Sequence, residues 1–413
     1  MADSGPPLIE ILQGADEYFP ALIGEIDRAK YAIYIESYLI HDDPATDLVL
    51  AALIRAAQRG LRVHLVLDGF GAAGAMDWVR QRFYSTGVQI ELYRPGVRWL
   101  APKTWRRIHR KLVMIDERIG FIGGINLIGD RFDLAHGLLQ APRLDFAVRV
   151  SSARVVNAMS RVMRRLWWRT SLRNSLRGSL KRLLEAEQRA DELVRVRQAW
   201  RSTRRHLRWR GPPARKHVSR RSRLLLRDNF RHRRSIERWY LWKIRLAKRD
   251  ILIANAYFVP TYRFRQALID AAARGVRVRL LLQGNSDQWW THWASQALVG
   301  ELVSAGIEIY EYTESFLHAK VAVIDDAMTV GSSNIDPFSL MLSLEANLVA
   351  EDTNAALRLR EKLEAAITVS SKREPILVQR GPLRALARAI AITFSLAALR
   401  IFIAFSGTGF RIR

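Results

Sequence analysis

One run of residues occurs twice in this chain. His109-Arg110-Lys111-Leu112-Val113-Met114-Ile115-Asp116 and His318-Ala319-Lys320-Val321-Ala322-Val323-Ile324-Asp325 both read His-x-Lys-x4-Asp. The apolar residues inside each run predict a strand, and a period of two puts His and Lys on one face of it. From composition alone, two accidental matches are a roughly one-in-ten-thousand event. Arg outnumbers Lys 56 to 10, yet both runs use Lys, so drift toward any cation does not explain them. A pair of motifs this similar needs a pair of similar surroundings. The feature therefore restricts the chain to a duplicated fold.

The flanks of the two motifs repeat as well. In the first half, Ala29-Lys30-Tyr31 opens an apolar run from Ile33 to Tyr38, and a helical segment then ends at Arg59-Gly60. Val63 to Leu67 follows and leads into Asp68-Gly69. The second half gives Ala247-Lys248, Ile251 to Phe258, a helix ending Arg274-Gly275, then Val276 to Leu282 and Gln283-Gly284. Gly87-Val88-Gln89-Ile90 and Gly306-Ile307-Glu308-Ile309 continue the match. Equivalent landmarks lie 209 to 219 residues apart. Short apolar runs between helices predict buried strands, so the fold class is α/β: two duplicated lobes, each a mixed sheet flanked by helices.

Charge divides the chain differently. Its formal net charge is +26, and residues 151–234 hold 26 Lys plus Arg against 5 Asp plus Glu. The flanking sequence is close to neutral. The predicted organisation is a first lobe over 1–150, an Arg/Trp-rich helical insertion and linker over 151–234, a second lobe over 235–375 and a basic amphipathic tail over 376–413. Such a balance points to polyanionic partners. The absence of cysteine excludes disulfides, thiolate nucleophiles and cysteine-bound metals. No cleaved leader is expected from the first twenty residues, and no run of eighteen apolar residues predicts a membrane-spanning helix.

Each motif has a matching tail. Gly123, Gly124 and Asn126 follow the first, with Asp145 beyond; Gly331, Ser332, Ser333 and Asn334 follow the second, with Glu345 beyond. Small residues let backbone approach an oxyanion, and Asn amides donate to it. A carboxylate at the end of a later strand can fix the tautomer of a histidine. Two Lys and two Asn donors would neutralise a phosphodiester in place. One neutral imidazole could then attack phosphorus while the other, protonated, serves the leaving alkoxide. This chemistry needs no metal or other cofactor.

Paired His-x-Lys-x4-Asp motifs with these tails resemble the phospholipase D superfamily, and the resemblance covers nearly all of both halves. Within it, the chain is similar to bacterial cardiolipin synthases of the shorter B type. Phe121-Ile122-Gly123-Gly124-Ile125-Asn126, Arg227-Asp228-Asn229, Ala254-Asn255-Ala256-Tyr257-Phe258, and Gly331 to Pro337 with Leu344-Glu345-Ala346-Asn347 carry that closer match. The resemblance implies one active site at the interface of the lobes. It makes His109 and His318 the nucleophile and the general acid/base, with a lean toward His109 as nucleophile. Lys111 and Lys320 become phosphate ligands, joined by Asn126, Asn334 and Ser332. Asp116 and Asp325 complete the catalytic motif, with a structural role bonding backbone near the site. Asp145 and Glu345 are the carboxylates behind the histidines, each expected to serve the histidine of its own half. Asp145 is the weaker candidate, standing 36 residues after His109 where Glu345 stands 27 after His318.

The implied reaction is phosphatidyl transfer between two phosphatidylglycerol molecules, by a monomer peripheral on the cytoplasmic side of a bacterial inner membrane. The alternatives are a phospholipase D-type phosphodiesterase or nuclease, and a basic membrane- or nucleic-acid-binding protein with a degenerate fold. Arg and Trp interleave in Met163 to Arg169 and Trp200 to Arg210, which favours an anionic membrane surface over a solvated helical insertion packed on the core, and both over nucleic acid. Leu383 to Phe405 reads as an interfacial helix, with a packed terminal helix as the alternative. Glu36, His41, Asp42, Asp43 and Asp68 lie near predicted strand ends, where loop caps compete with ligand contacts. Asn255 and Tyr257 hold the equivalent place in the second half.

Overall fold

The computed structural model describes residues 8–95, 107–134, 136–185, 221–228, 232–284, 299–336 and 343–373. Trp200 to Arg210, Gly211-Pro212-Pro213, Asn229, Pro337 and the tail from 376 lie outside the described residues.

The first half supplies β1 (Ile9–Gln13), β2 (Ala32–Ser37), β3 (Arg62–Asp68), β4 (Gln89–Tyr93), β5 (Arg107–Ile108), β6 (Lys111–Ile115), β7 (Ile119–Gly123), β8 (Phe132–Asp133), β9 (Gly137–Leu138) and β10 (Phe146–Val150). The second supplies β11 (Ser222–Arg227), β12 (Asp250–Asn255), β13 (Arg277–Gln283), β14 (Glu308–Tyr312), β15 (Lys320–Ile324), β16 (Ala327–Gly331), β17 (Ser343–Glu351) and β18 (Ser371–Lys372). One sheet runs β1-β10-β7-β6-β2-β3-β4, and the other runs β11-β17-β16-β15-β12-β13-β14-β18. Apart from β18, the two orders are the same. In both, the three strands after the first connect in parallel and the motif strand is antiparallel to its neighbours. These are mixed sheets of a duplicated α/β fold.

Local chemistry is duplicated along with topology. The helix Pro44–Gln58 starts on an Asp43 cap with Pro at its first position, and Tyr262–Ala273 starts on Thr261. Both end on a glycine at positive φ, Gly60 at 83° and Gly275 at 86°. The following amides of Leu61 and Val276 reach back to Ala56 and Ala271, the bonds of a left-handed helix stop.

Each sheet buries its two faces differently. Outer helices Gly14–Arg28 and Pro44–Gln58 close one face of the first sheet through Leu22, Ile26, Leu50 and Leu53. Ser235–Leu246 and Tyr262–Ala273 do so for the second through Tyr240, Ile244 and Leu268. The inner faces share one core, into which Ala153–Glu185 sends Val155, Met159 and Met163, and Thr353–Thr368 sends Leu359 and Leu363. Part of the Arg-rich stretch is thus packed: Leu166 and Trp167 are buried, and β11 edges the second sheet. No helix among the described residues is long and apolar enough to cross a membrane.

Candidate active site

The two motif strands meet through backbone. The amide of His109 donates to Leu344 O at 3.0 Å, and that of His318 donates to Leu144 O at 2.8 Å. β5 pairs in parallel with the start of β17, and Leu144 bridges Leu317 in parallel. Each histidine is therefore docked on the residue just before the other lobe's carboxylate. The consequence is a crossed pairing. Nδ1 of His109 lies 3.0 Å from Oε1 of Glu345, and Nδ1 of His318 lies 2.6 Å from Oδ2 of Asp145.

This corrects the expectation that each carboxylate serves its own half. Asp145 takes its place in spite of its long spacing, because the residue it meets is His318 and spacing from His109 does not matter. With Nδ1 held by a carboxylate, each ring keeps Nε2 for the cleft. Burial, and next the Lys320 cation, pull His318 below the ordinary histidine pKa. Its side chain is 24% exposed, and its contact with Asp145 opposes that fall. Burial alone would raise Glu345 and Asp145. The His109 charge for Glu345, and the His318 and Lys320 charges for Asp145, outweigh it and hold both carboxyls low.

Lys111 and Lys320 lie behind the histidines. Lys111 Nζ donates to His109 O at 2.8 Å, and Lys320 Nζ donates to His318 O. Burial lowers Lys111 to about 8. Burial, with the repulsion of Lys111, lowers Lys320 to about 7. The charges of Asp145 and Glu345 oppose that fall at both lysines.

The loops after β7 and β16 differ in their side chains. Ser332 Oγ donates to Glu345 Oε2 at 2.5 Å. At the matching Gly124, an added Cβ would overlap the Asp145 carboxylate. The shorter acid needs the smaller neighbour. Asn126 Oδ1 accepts the Leu39 amide at 3.3 Å, whereas the buried Asn334 Oδ1 finds no donor among the described residues.

Asp116 and Asp325 stand at the far end of their strands, away from the histidines. Asp116 accepts the amides of Lys30, Tyr31 and Ala32, and Asp325 those of Lys248, Arg249 and Asp250. Both sit at positive φ, 53° and 50°. They staple the entry of β2 and β12 through these backbone bonds.

The strand-end residues separate. Glu36 is buried on Arg110, Asp43 caps its helix, and His41 lies 3.6 Å from Asp43. Asp42 is exposed. Asp68 accepts the Ile108 amide at 2.8 Å and braces the approach to His109. Asn255 accepts the Ile335 amide at 3.2 Å and braces the Asn334 loop, with Tyr257 two residues beyond. Sequence reasoning missed Tyr38, whose ring lies 5.2 Å from His109 and 5.6 Å from Lys111 Nζ. Its signal was an aromatic residue just past the end of β2, where α/β sheets gather ligands.

Two lobes that exchange carboxylates across paired His-x-Lys motifs are the arrangement of a phospholipase D-type fold. A family described as cardiolipin synthase, phospholipase D-like domain, matches residues 22–167 and 240–367. Cardiolipin synthase B of Salmonella typhi is 35% identical over 378 residues, covering 88% of this chain and 81% of that protein. The Escherichia coli K12 protein of the same name is 34% identical, covering 87% and 80%. The chain belongs to the cardiolipin synthase family. Phosphatidylserine synthase of Haemophilus influenzae superposes with a TM-score of 0.63 at 15% identity, covering 96% of this chain and 94% of that one, a likeness of fold.

Proposed function

We propose that this enzyme makes cardiolipin from two phosphatidylglycerol molecules. The observation that carries the reading is the convergence of two histidines, each on the opposite lobe's carboxylate, with two buried lysines behind them. A phosphodiester placed there meets cations on both sides. Nε2 of one imidazole attacks phosphorus, the bond from phosphorus to the glycerol oxygen breaks, and the other imidazole, protonated, gives its proton to the departing alkoxide. That second imidazole then takes the proton of a primary hydroxyl on another phosphatidylglycerol. The freed oxygen attacks phosphorus, the N–P bond breaks, and cardiolipin leaves. Exclusion of water decides between transfer and hydrolysis.

Burial lowers the pKa of His318 and so favours the unprotonated form that attacks, a point against the family lean toward His109; the peptide that carries the trapped phosphoryl group identifies the nucleophile. One chain supplies both halves of the site, which supports a monomer. The lipid substrate and the basic stretch support work at the bacterial inner membrane, peripheral on its cytoplasmic side. The test is incubation with phosphatidylglycerol vesicles and, separately, with DNA. Cardiolipin plus free glycerol by mass spectrometry is the expected outcome, lost in His318→Ala. Cleaved DNA without lipid product would replace the reading with a nuclease.

A further inference from the structure

The two lobes differ in length at one place. Asn126 and Asp145 are 19 residues apart, whereas Asn334 and Glu345 are 11 apart. The extra residues of the first lobe build the β8–β9 hairpin. It leans across the cleft onto the other lobe: Ser315 Oγ donates to Ala141 O at 2.7 Å, and the His136 ring lies 5.1 Å from that of Phe316, two residues before His318. Polar bonds fix its shape. Arg131 Nη1 donates to Gln140 O at 2.9 Å, and His136 Nδ1 lies 2.9 Å from Asp133 Oδ1. Yet it presents Leu134, 62% exposed, and Leu138, 70% exposed.

A second loop, beside the approach to His109, shows the same combination. Phe70 is 58% exposed, and the guanidinium of Arg107, two residues before His109, lies 5.1 Å from its ring centre. The Phe70 amide is tied to Asp68, the residue that also holds Ile108. A single exposed leucine is ordinary on any protein. Three large apolar side chains on two braced loops, one beside the approach to each histidine, form a rim.

We infer that this rim, Phe70 with Leu134 and Leu138, is the surface that seats the cleft on an anionic lipid layer. The inference rests on the cardiolipin reading for its substrate and adds where lipid is met. Apolar tips enter the acyl boundary, and the exposed Arg131 meets phosphate head groups. A lipid then passes its head group into the cleft without its chains crossing water.

The protein has no cysteine, so Leu138→Cys accepts a single environment-sensitive fluorophore. On adding phosphatidylglycerol vesicles its emission shifts to shorter wavelength; unchanged emission overturns the inference. This readout does not depend on turnover, so it stands apart from any failure to form cardiolipin. The second measurement uses the full chain with Phe70→Ser, Leu134→Ser and Leu138→Ser together. Turnover on vesicles falls about tenfold or more, while turnover on dispersed short-chain phosphatidylglycerol stays within about twofold. Equal loss on both substrates, or no loss on vesicles, overturns it.

Discussion

His109 and Glu345 lie 236 residues apart in the chain and 3.0 Å apart in the fold. The contact joins the lobes, because the residue before Glu345 also accepts the His109 amide. Glu345→Gln keeps the shape and removes the charge. Turnover is expected to fall about 10²- to 10⁴-fold, as for loss of the acid that orients a catalytic histidine. With 15N-labelled histidine, Glu345→Gln moves the ring resonances of His109, and Asp145→Asn those of His318. The opposite assignment would restore pairing within each lobe.

The motif aspartates should behave as staples. Asp116→Ala leaves three backbone N–H groups without their acceptor, a loss of about 1–3 kcal/mol in stability. Per folded molecule, turnover stays within a few-fold. Denaturant unfolding and active-site-normalised kinetics measure the two separately. A large drop in turnover at unchanged stability would contradict the assignment.

The lysines set a pH dependence. In the empty cleft Lys320 loses its proton near pH 7 and Lys111 near pH 8, because burial disfavours their charge. The phosphodiester binds the protonated forms. Apparent KM for phosphatidylglycerol therefore rises as pH passes upward through this window. Lys320→Arg keeps its charge there and flattens the rise, even though a guanidinium fits the site less well. A KM independent of pH in the unaltered enzyme would contradict the sign.

Gly124 and Ser332 are not interchangeable. Gly124→Ala pushes the Asp145 carboxylate off His318, and turnover falls about 10- to 100-fold. Ser332→Ala removes one donor from Glu345 and leaves the His109 contact, a loss of about 1 kcal/mol, or roughly fivefold. Side-by-side kinetics of the two variants give the ratio.

The sequence determined the duplication, the mixed α/β lobes and the identity of the histidines, lysines and asparagines at the cleft. It could do so because strand period and motif spacing act within a few residues, and both halves carry the same signals. Even the helix stops at Gly60 and Gly275 were legible, since a positive φ selects glycine locally. Which carboxylate serves which histidine was decided by the tertiary structure alone. That choice depends on β5 running beside β17 and Leu144 beside Leu317, contacts between lobes that leave no periodic trace in either half. The place of Tyr38 on His109 and the reach of the β8–β9 hairpin over Phe316 arise in the same way, from two surfaces that meet only after each lobe has folded.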